Sequence, residues 1–164
     1  MYVDNETRVS NAQDVSGADP TYSSAIELNQ SPDMGLGGQL VAVIEIDSYD
    51  PENSGGTDST GTNFDIVSSA VAGLTSPKLL GRIELSAAEI TARIGNGRKG
   101  APITVRIQPD ATGFDVSGVD EKYLGIRYDH KSAAPATMTV TAYFVHDFQA
   151  DPRASHFQTG APIL

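Results

Sequence analysis

Cysteine and tryptophan are both missing from these 164 residues. Without cysteine there are no disulfides and no thiolate metal sites. The fold must then rest on a core alone, which a chain of this length can bury. Without tryptophan, and with aromatics at 7%, the usual stacking platforms for sugars are scarce. No apolar run approaches the eighteen or so residues of a membrane-spanning helix. Met1-Tyr2-Val3-Asp4-Asn5-Glu6 lacks the basic and apolar regions of a signal peptide. The expectation is a soluble domain with no membrane partner.

Basic residues are scarce as well. Lys plus Arg number 11 against 21 Asp plus Glu, a net charge of −10. Repulsion from phosphate argues against direct contact with nucleic acid. The imbalance is uneven: residues 1–77 hold twelve acids and one base, Arg8, and residues 78–164 hold nine acids and ten bases. Two readings follow, a solvated acidic surface or acidic and basic regions that meet across copies or partners.

What is present is alternation of apolar and polar residues, which is a strand signal. Met138, Val140, Ala142 and Phe144 fall on one face, with Thr139, Thr141 and Tyr143 on the other. Ile103-Thr104-Val105-Arg106-Ile107 alternates likewise, as do Leu124, Ile126 and Tyr128, and Phe64 and Ile66. Leu79, Gly81, Ile83 and Leu85 alternate with Lys78, Leu80, Arg82 and Glu84. Leu40 to Ile46 is apolar almost throughout, so this strand should lie centrally with both faces covered. Ser24 to Leu28 is a weaker candidate, and a short strand is possible around Phe114. Seven or eight antiparallel strands make an all-β, jelly-roll-like sandwich.

One helix interrupts them over about 87–94. Ser86-Ala87-Ala88-Glu89 is a capping box, Ile90 and Ile94 share a face, and Gly95 can end the turn. Asp47 to Gly61 reads as a long mobile loop. The domain organisation is an N-terminal arm (1–20), the β-domain (21–147) and a C-terminal arm (148–164).

The search for chemistry yields no active site and no cofactor. Gly95-Asn96-Gly97-Arg98-Lys99-Gly100 matches GxGxxG, but a helix precedes the glycines and a strand follows, the reverse of a dinucleotide site. Asp47, Asp50, Glu52, Asn53 and Asp58 fit no EF-hand register. His130, His146 and His156 show no close pair and read as ordinary surface histidines. No GxSxG elbow is present, and the many serines and acids single out no triad or carboxylate pair. The expectation is a protein that is not an enzyme. The candidate protein–protein interface is Arg82, Arg106 and Arg127, all on the polar phase of their strands. If those strands share a sheet, the three form a basic stripe suited to a partner's carboxylates.

Met1-Tyr2-Val3-Asp4-Asn5, Ser10-Asn11-Ala12-Gln13-Asp14-Val15, Ile26-Glu27-Leu28 and Asp33-Met34-Gly35-Leu36-Gly37-Gly38-Gln39-Leu40 carry a resemblance. Tyr123-Leu124-Gly125-Ile126-Arg127-Tyr128 and Ala136-Thr137-Met138-Thr139-Val140-Thr141-Ala142 continue it more loosely. In these segments the chain resembles the jelly-roll capsid cement, or decoration, proteins of short-tailed bacteriophages. The resemblance implies a jelly roll made in the host cytoplasm that sits on the outer surface of the virion. There it clamps adjacent major capsid protein subunits and associates with other copies of itself, as dimers. The family supplies no catalytic residues, and the tail beyond Asp147 is longer than its pattern. The competing expectation is a glycan-binding module or receptor-binding head, with Tyr49, Tyr123, Tyr128 and Tyr143 as the only stacking candidates beyond the N-terminal tyrosines.

Overall fold

The computed structural model describes residues 8–17, 19–27, 40–52, 57–95, 102–107 and 123–146. Nine strands and one helix follow in order: β1 (Arg8–Asp14), β2 (Thr21–Tyr22), β3 (Ile26–Glu27), β4 (Leu40–Asp50), β5 (Gly61–Ser69), β6 (Lys78–Ser86), α1 (Ala87–Gly95), β7 (Ile103–Ile107), β8 (Tyr123–Lys131) and β9 (Thr137–His146). One sheet has the order β1-β9-β4-β7, and the other β2-β8-β5-β6 with β3 also on β8. Every pairing is antiparallel. β2 and β3 lie in succession along β8 as two halves of one interrupted strand. With β2 and β3 counted as one strand, every connection but the β5–β6 hairpin crosses from one sheet to the other. That alternation defines a jelly-roll sandwich.

Period-two patterning places the core between the sheets. Met138, Val140, Ala142 and Phe144 of β9 meet Phe64 and Ile66 of β5 and Leu124, Ile126 and Tyr128 of β8 in one buried cluster. Each of the larger apolar side chains among them contributes on the order of 1.5–3 kcal/mol through lost apolar surface. β4 is interior to its sheet and buried on both faces, as its composition implies. Ala42, Ile44 and Ile46 join the main core, while Val41 and Val43 form a second cluster with Tyr143.

The capping box forms. Glu89 Oε2 accepts from Ser86 N–H at 2.8 Å, and Glu89 N–H donates to Ser86 Oγ at 3.3 Å. Ile90 is wholly buried and Ile94 packs on the same core, so α1 closes one end of the sandwich.

Four expectations need correction. The N-terminal arm is not wholly an arm: Arg8–Asp14 pairs with β9, and Val9 and Val15 are core residues. The Asp47–Gly61 loop starts later than expected, because β4 runs on to Asp50. A bulge at Asp47 shifts the phase there, bringing Tyr49 against the core. In β6 the register skips Leu80, since Ile66 pairs with Gly81 and Val67 with Leu79. Leu80 therefore packs inward and Leu79 is exposed. His130 is not a surface histidine; it is 5% exposed, continuing the inward phase of Leu124, Ile126 and Tyr128. Its Nε2–H donates to Val15 O at 2.7 Å, and Thr62 Oγ1 lies 3.0 Å from its Nδ1. The C-terminal arm and the Phe114 strand lie outside the described residues.

Candidate protein interface

β5 is flanked by β6 and β8, and this register sets Asp65 opposite Arg82 on one side and Arg127 on the other. With Phe64 and Ile66 pointing into the core, alternation sends Asp65 to the outer face of the sheet. Both arginines reach back over it. Arg82 donates from Nε to Oδ1 at 2.5 Å and from Nη2 to Oδ2 at 2.9 Å. Arg127 donates from Nε and Nη2 to Oδ2 at 3.0 and 2.5 Å. The Asp65 side chain is fully covered, whereas those of Arg82 and Arg127 stay 40% and 27% exposed.

Burial alone would push the Asp65 carboxyl up. The hydrogen bonds and charges of the two guanidinium groups outweigh it and hold the carboxyl below the usual carboxylate range. Their own hydrogen bonds to Asp65 hold Arg82 and Arg127 more firmly charged. Asp129 lies 3.9 Å from Arg127, and Lys131 pairs with Glu84 on the same face. Three acids and three bases make this patch neutral, not a basic stripe. Here the acid-rich first half meets the base-bearing second half within one chain, through Asp65.

The arginine expectation is thus corrected in part. Arg82 and Arg127 are brought together, with solvent-facing guanidinium edges still able to receive a partner's carboxylate. Arg106 is not with them, because β7 belongs to the other sheet; its side chain lies outside the described ones. Asp65, which organises the pair, was visible only as a polar residue between apolar neighbours. Its role depends on a register that sequence does not reveal.

Because the folded carboxyl is depressed, its stabilisation is present above the unfolded value of about 3.9 and is lost as pH falls through the folded one. Wild type is expected to lose thermal stability as pH falls below about 4, and Asp65→Asn to show a shallower loss. Asp14 and Glu89 are also held low, by hydrogen bonds from Ser16 and Ser86, so some acid sensitivity will persist. At neutral pH, Asp65→Asn should cost about 2 kcal/mol, the scale of charge-assisted hydrogen bonds. Equal acid profiles for the two proteins would contradict this assignment.

The remaining candidates contribute little here. Gly95 ends α1, and residues 96–100 of the glycine run lie outside the described residues. In the acidic loop, Asp47 Oδ2 accepts from Thr141 and Asp50 Oδ1 accepts from Glu52 N–H. Among the described residues, no group of three or more His, Asp or Glu could hold a metal ion. No helix among them is long and apolar enough to cross a membrane. His156 and the His146 side chain are outside the described set. Of the tyrosines, Tyr128 is wholly buried, Tyr143 is 5% exposed, and Tyr49 packs against the core.

No protein-family model matches the chain, and no curated protein matches it. What fold and patch define together is a jelly-roll domain with a preorganised ion network on the outer face of one sheet.

Proposed function

We propose that this protein is a capsid cement, or decoration, protein of a bacteriophage. It binds the outer surface of an assembled icosahedral shell and joins adjacent major capsid protein subunits, without catalysis or a cofactor. The observation that carries this reading is the jelly-roll topology, the fold implied by the sequence resemblance. The ion network supports it too, since Arg82 and Arg127 keep partly exposed guanidinium donors that a partner protein's carboxylates can meet. Acidic net charge is tolerable outside a shell and would be unhelpful against packaged DNA. Association of copies, as dimers, belongs to the same reading.

A cement acts by mass action. It binds the assembled state in preference to free subunits, and that difference raises the temperature at which the shell opens. The test is calorimetry of expanded shells, assembled without this chain from the major capsid protein of the same genome. Saturating addition should raise the shell transition by several degrees, and an unmoved transition would reject the proposal. The glycan-binding alternative loses two of its four rings, because Tyr128 and Tyr143 are buried and cannot present stacking faces, which leaves the half-buried Tyr49 and Tyr123.

A further inference from the structure

The outer face of β6, β5 and β8 carries its charges in rows. Register sets Asn63 between Glu84 and Asp129, and the next outward residue of β5, Asp65, between Arg82 and Arg127. One row therefore ends in two carboxylates and its neighbour in two guanidinium groups. The two ends of a row are two strand spacings apart, about 9–10 Å, and successive rows lie about 7 Å apart along the strands. All four side chains reach solvent: Glu84 is 58% exposed, Arg82 40%, Asp129 36% and Arg127 27%.

The two rows differ in how far the chain itself satisfies them. In the acidic row, Lys131 pairs with Glu84, but Asp129 stands 3.9 Å from Arg127, too far for a hydrogen bond. Asn63 Oδ1 between the two acids is buried without a hydrogen-bond partner, so this row is short of donors. In the basic row, Asp65 takes Nε and Nη2 of both arginines. Held in this way, the guanidinium groups lose little further freedom when a partner docks.

We infer that this face binds the same face of a second copy, turned over by a two-fold axis that runs across the strands midway between the two rows. The turn sets Glu84 opposite the partner's Arg82 and Asp129 opposite the partner's Arg127, and symmetry repeats both pairs. The spacing matches because the same strands, β6 and β8, carry the ends of both rows. Such self-complementarity is what a two-fold interface requires. Overall charge favours this face as well. Two chains of −10 repel, so contact costs least where charge is balanced, and here Asp65, Glu84 and Asp129 match Arg82, Arg127 and Lys131. The face is smaller than the roughly 800 Å² per partner of a standard interface, and exposed ion pairs are individually weak, so the dimer is of the transient class. The inference rests on the self-association in the cement reading, gives it a face, and leaves the shell contact to other surfaces.

The test is sedimentation velocity of the full chain from micromolar to near-millimolar concentration, with Glu84→Lys, Asp129→Lys and, as a control beyond the end of β4 in the other sheet, Glu52→Lys. Each change makes the chain less acidic by the same amount, which by itself favours association. The dimer dissociation constant should nevertheless rise on the order of tenfold or more for Glu84→Lys and Asp129→Lys, where base would face base, and should not rise for Glu52→Lys. Thermal melting of each variant checks that it is folded. Should a lysine variant melt early, Glu84→Gln with Asp129→Asn carries the same test, since it removes every cross-copy pair without reversing a charge. A wild type that stays monomeric throughout would overturn the inference, as would a dimer that all the variants form equally well. Neither result touches shell binding, which the calorimetry of expanded shells judges separately.

Discussion

Gly61→Ala should lower folding stability by about 3 kcal/mol or more, a large part of the 5–15 kcal/mol typical of a domain. Gly61 has φ of 151°, and an added Cβ would stand 2.3 Å from Leu85 O and 2.9 Å from Ser86 Cα. Both are backbone atoms and cannot swing aside. Gly61 opens β5 and is paired with Ser86 on one side and Lys131 on the other. Relief would require β5 and β6 to separate where the helix begins, beside the bond from Ala87 N–H to Thr60 O. Gly17, which has nothing within 4 Å of its added Cβ, is the control. Urea unfolding should show Gly17→Ala near wild type and Gly61→Ala far below it. Equal midpoints would mean that the β5–β6 approach is wrongly described.

Tyr128→Ala should cost about 4 kcal/mol, and Tyr128→Phe about 1 kcal/mol. Tyr128 is fully buried and stands edge-on to Phe64, with ring centroids 5.9 Å apart at 89°. Its hydroxyl donates to Ser10 Oγ at 2.8 Å, which frees the Ser10 hydroxyl to donate to Gln13 Oε1 at 2.7 Å. Gln13 Nε2 in turn donates to Tyr22 O at 2.8 Å. The chain of bonds ties β8 to β1 and β2, across the two sheets. Alanine loses the ring and the chain, whereas phenylalanine loses only one donor. Burial also pushes the Tyr128 phenol far above its ordinary value. A raised folded value leaves stability intact below the unfolded value of about 10, and stability then falls as pH rises further. Tyr128→Phe should flatten that alkaline loss, and an identical slope in both proteins would count against the burial.

Regular strands were legible because their period is regular. β9 and the first seven residues of β4 alternate or stay apolar without interruption, and the capping box fixed the start of α1. The exceptions are the irregular places. β1 offers one large apolar residue, Val9, has two register shifts, and places Ala12 at φ of 46°, so nothing in it resembles a strand pattern. The bulges at Asp47 and Leu80 each change which residues face inward, and a strict two-residue period cannot anticipate that. His130 was legible in principle, two residues beyond Tyr128 on the same phase. Its burial depends on Thr62 and Val15, which are remote in sequence.

The candidate interface was half legible. Outward phase placed Arg82 and Arg127 on the outer face of their sheet, because that needs only local alternation. That Asp65 sits between them, and that Arg106 lies in the other sheet, follows from strand order. Strand order is set by the crossings of the jelly roll, including the one made through α1, and no local pattern records it.

The most direct test of the central claim compares this protein's affinity for assembled shells with its affinity for unassembled major capsid protein, by sedimentation of matched mixtures. The account predicts saturable binding to shells and at least tenfold weaker binding to free subunits, since a clamp joins surfaces that adjoin only after assembly. Equal affinity for both, or binding to neither, would contradict it.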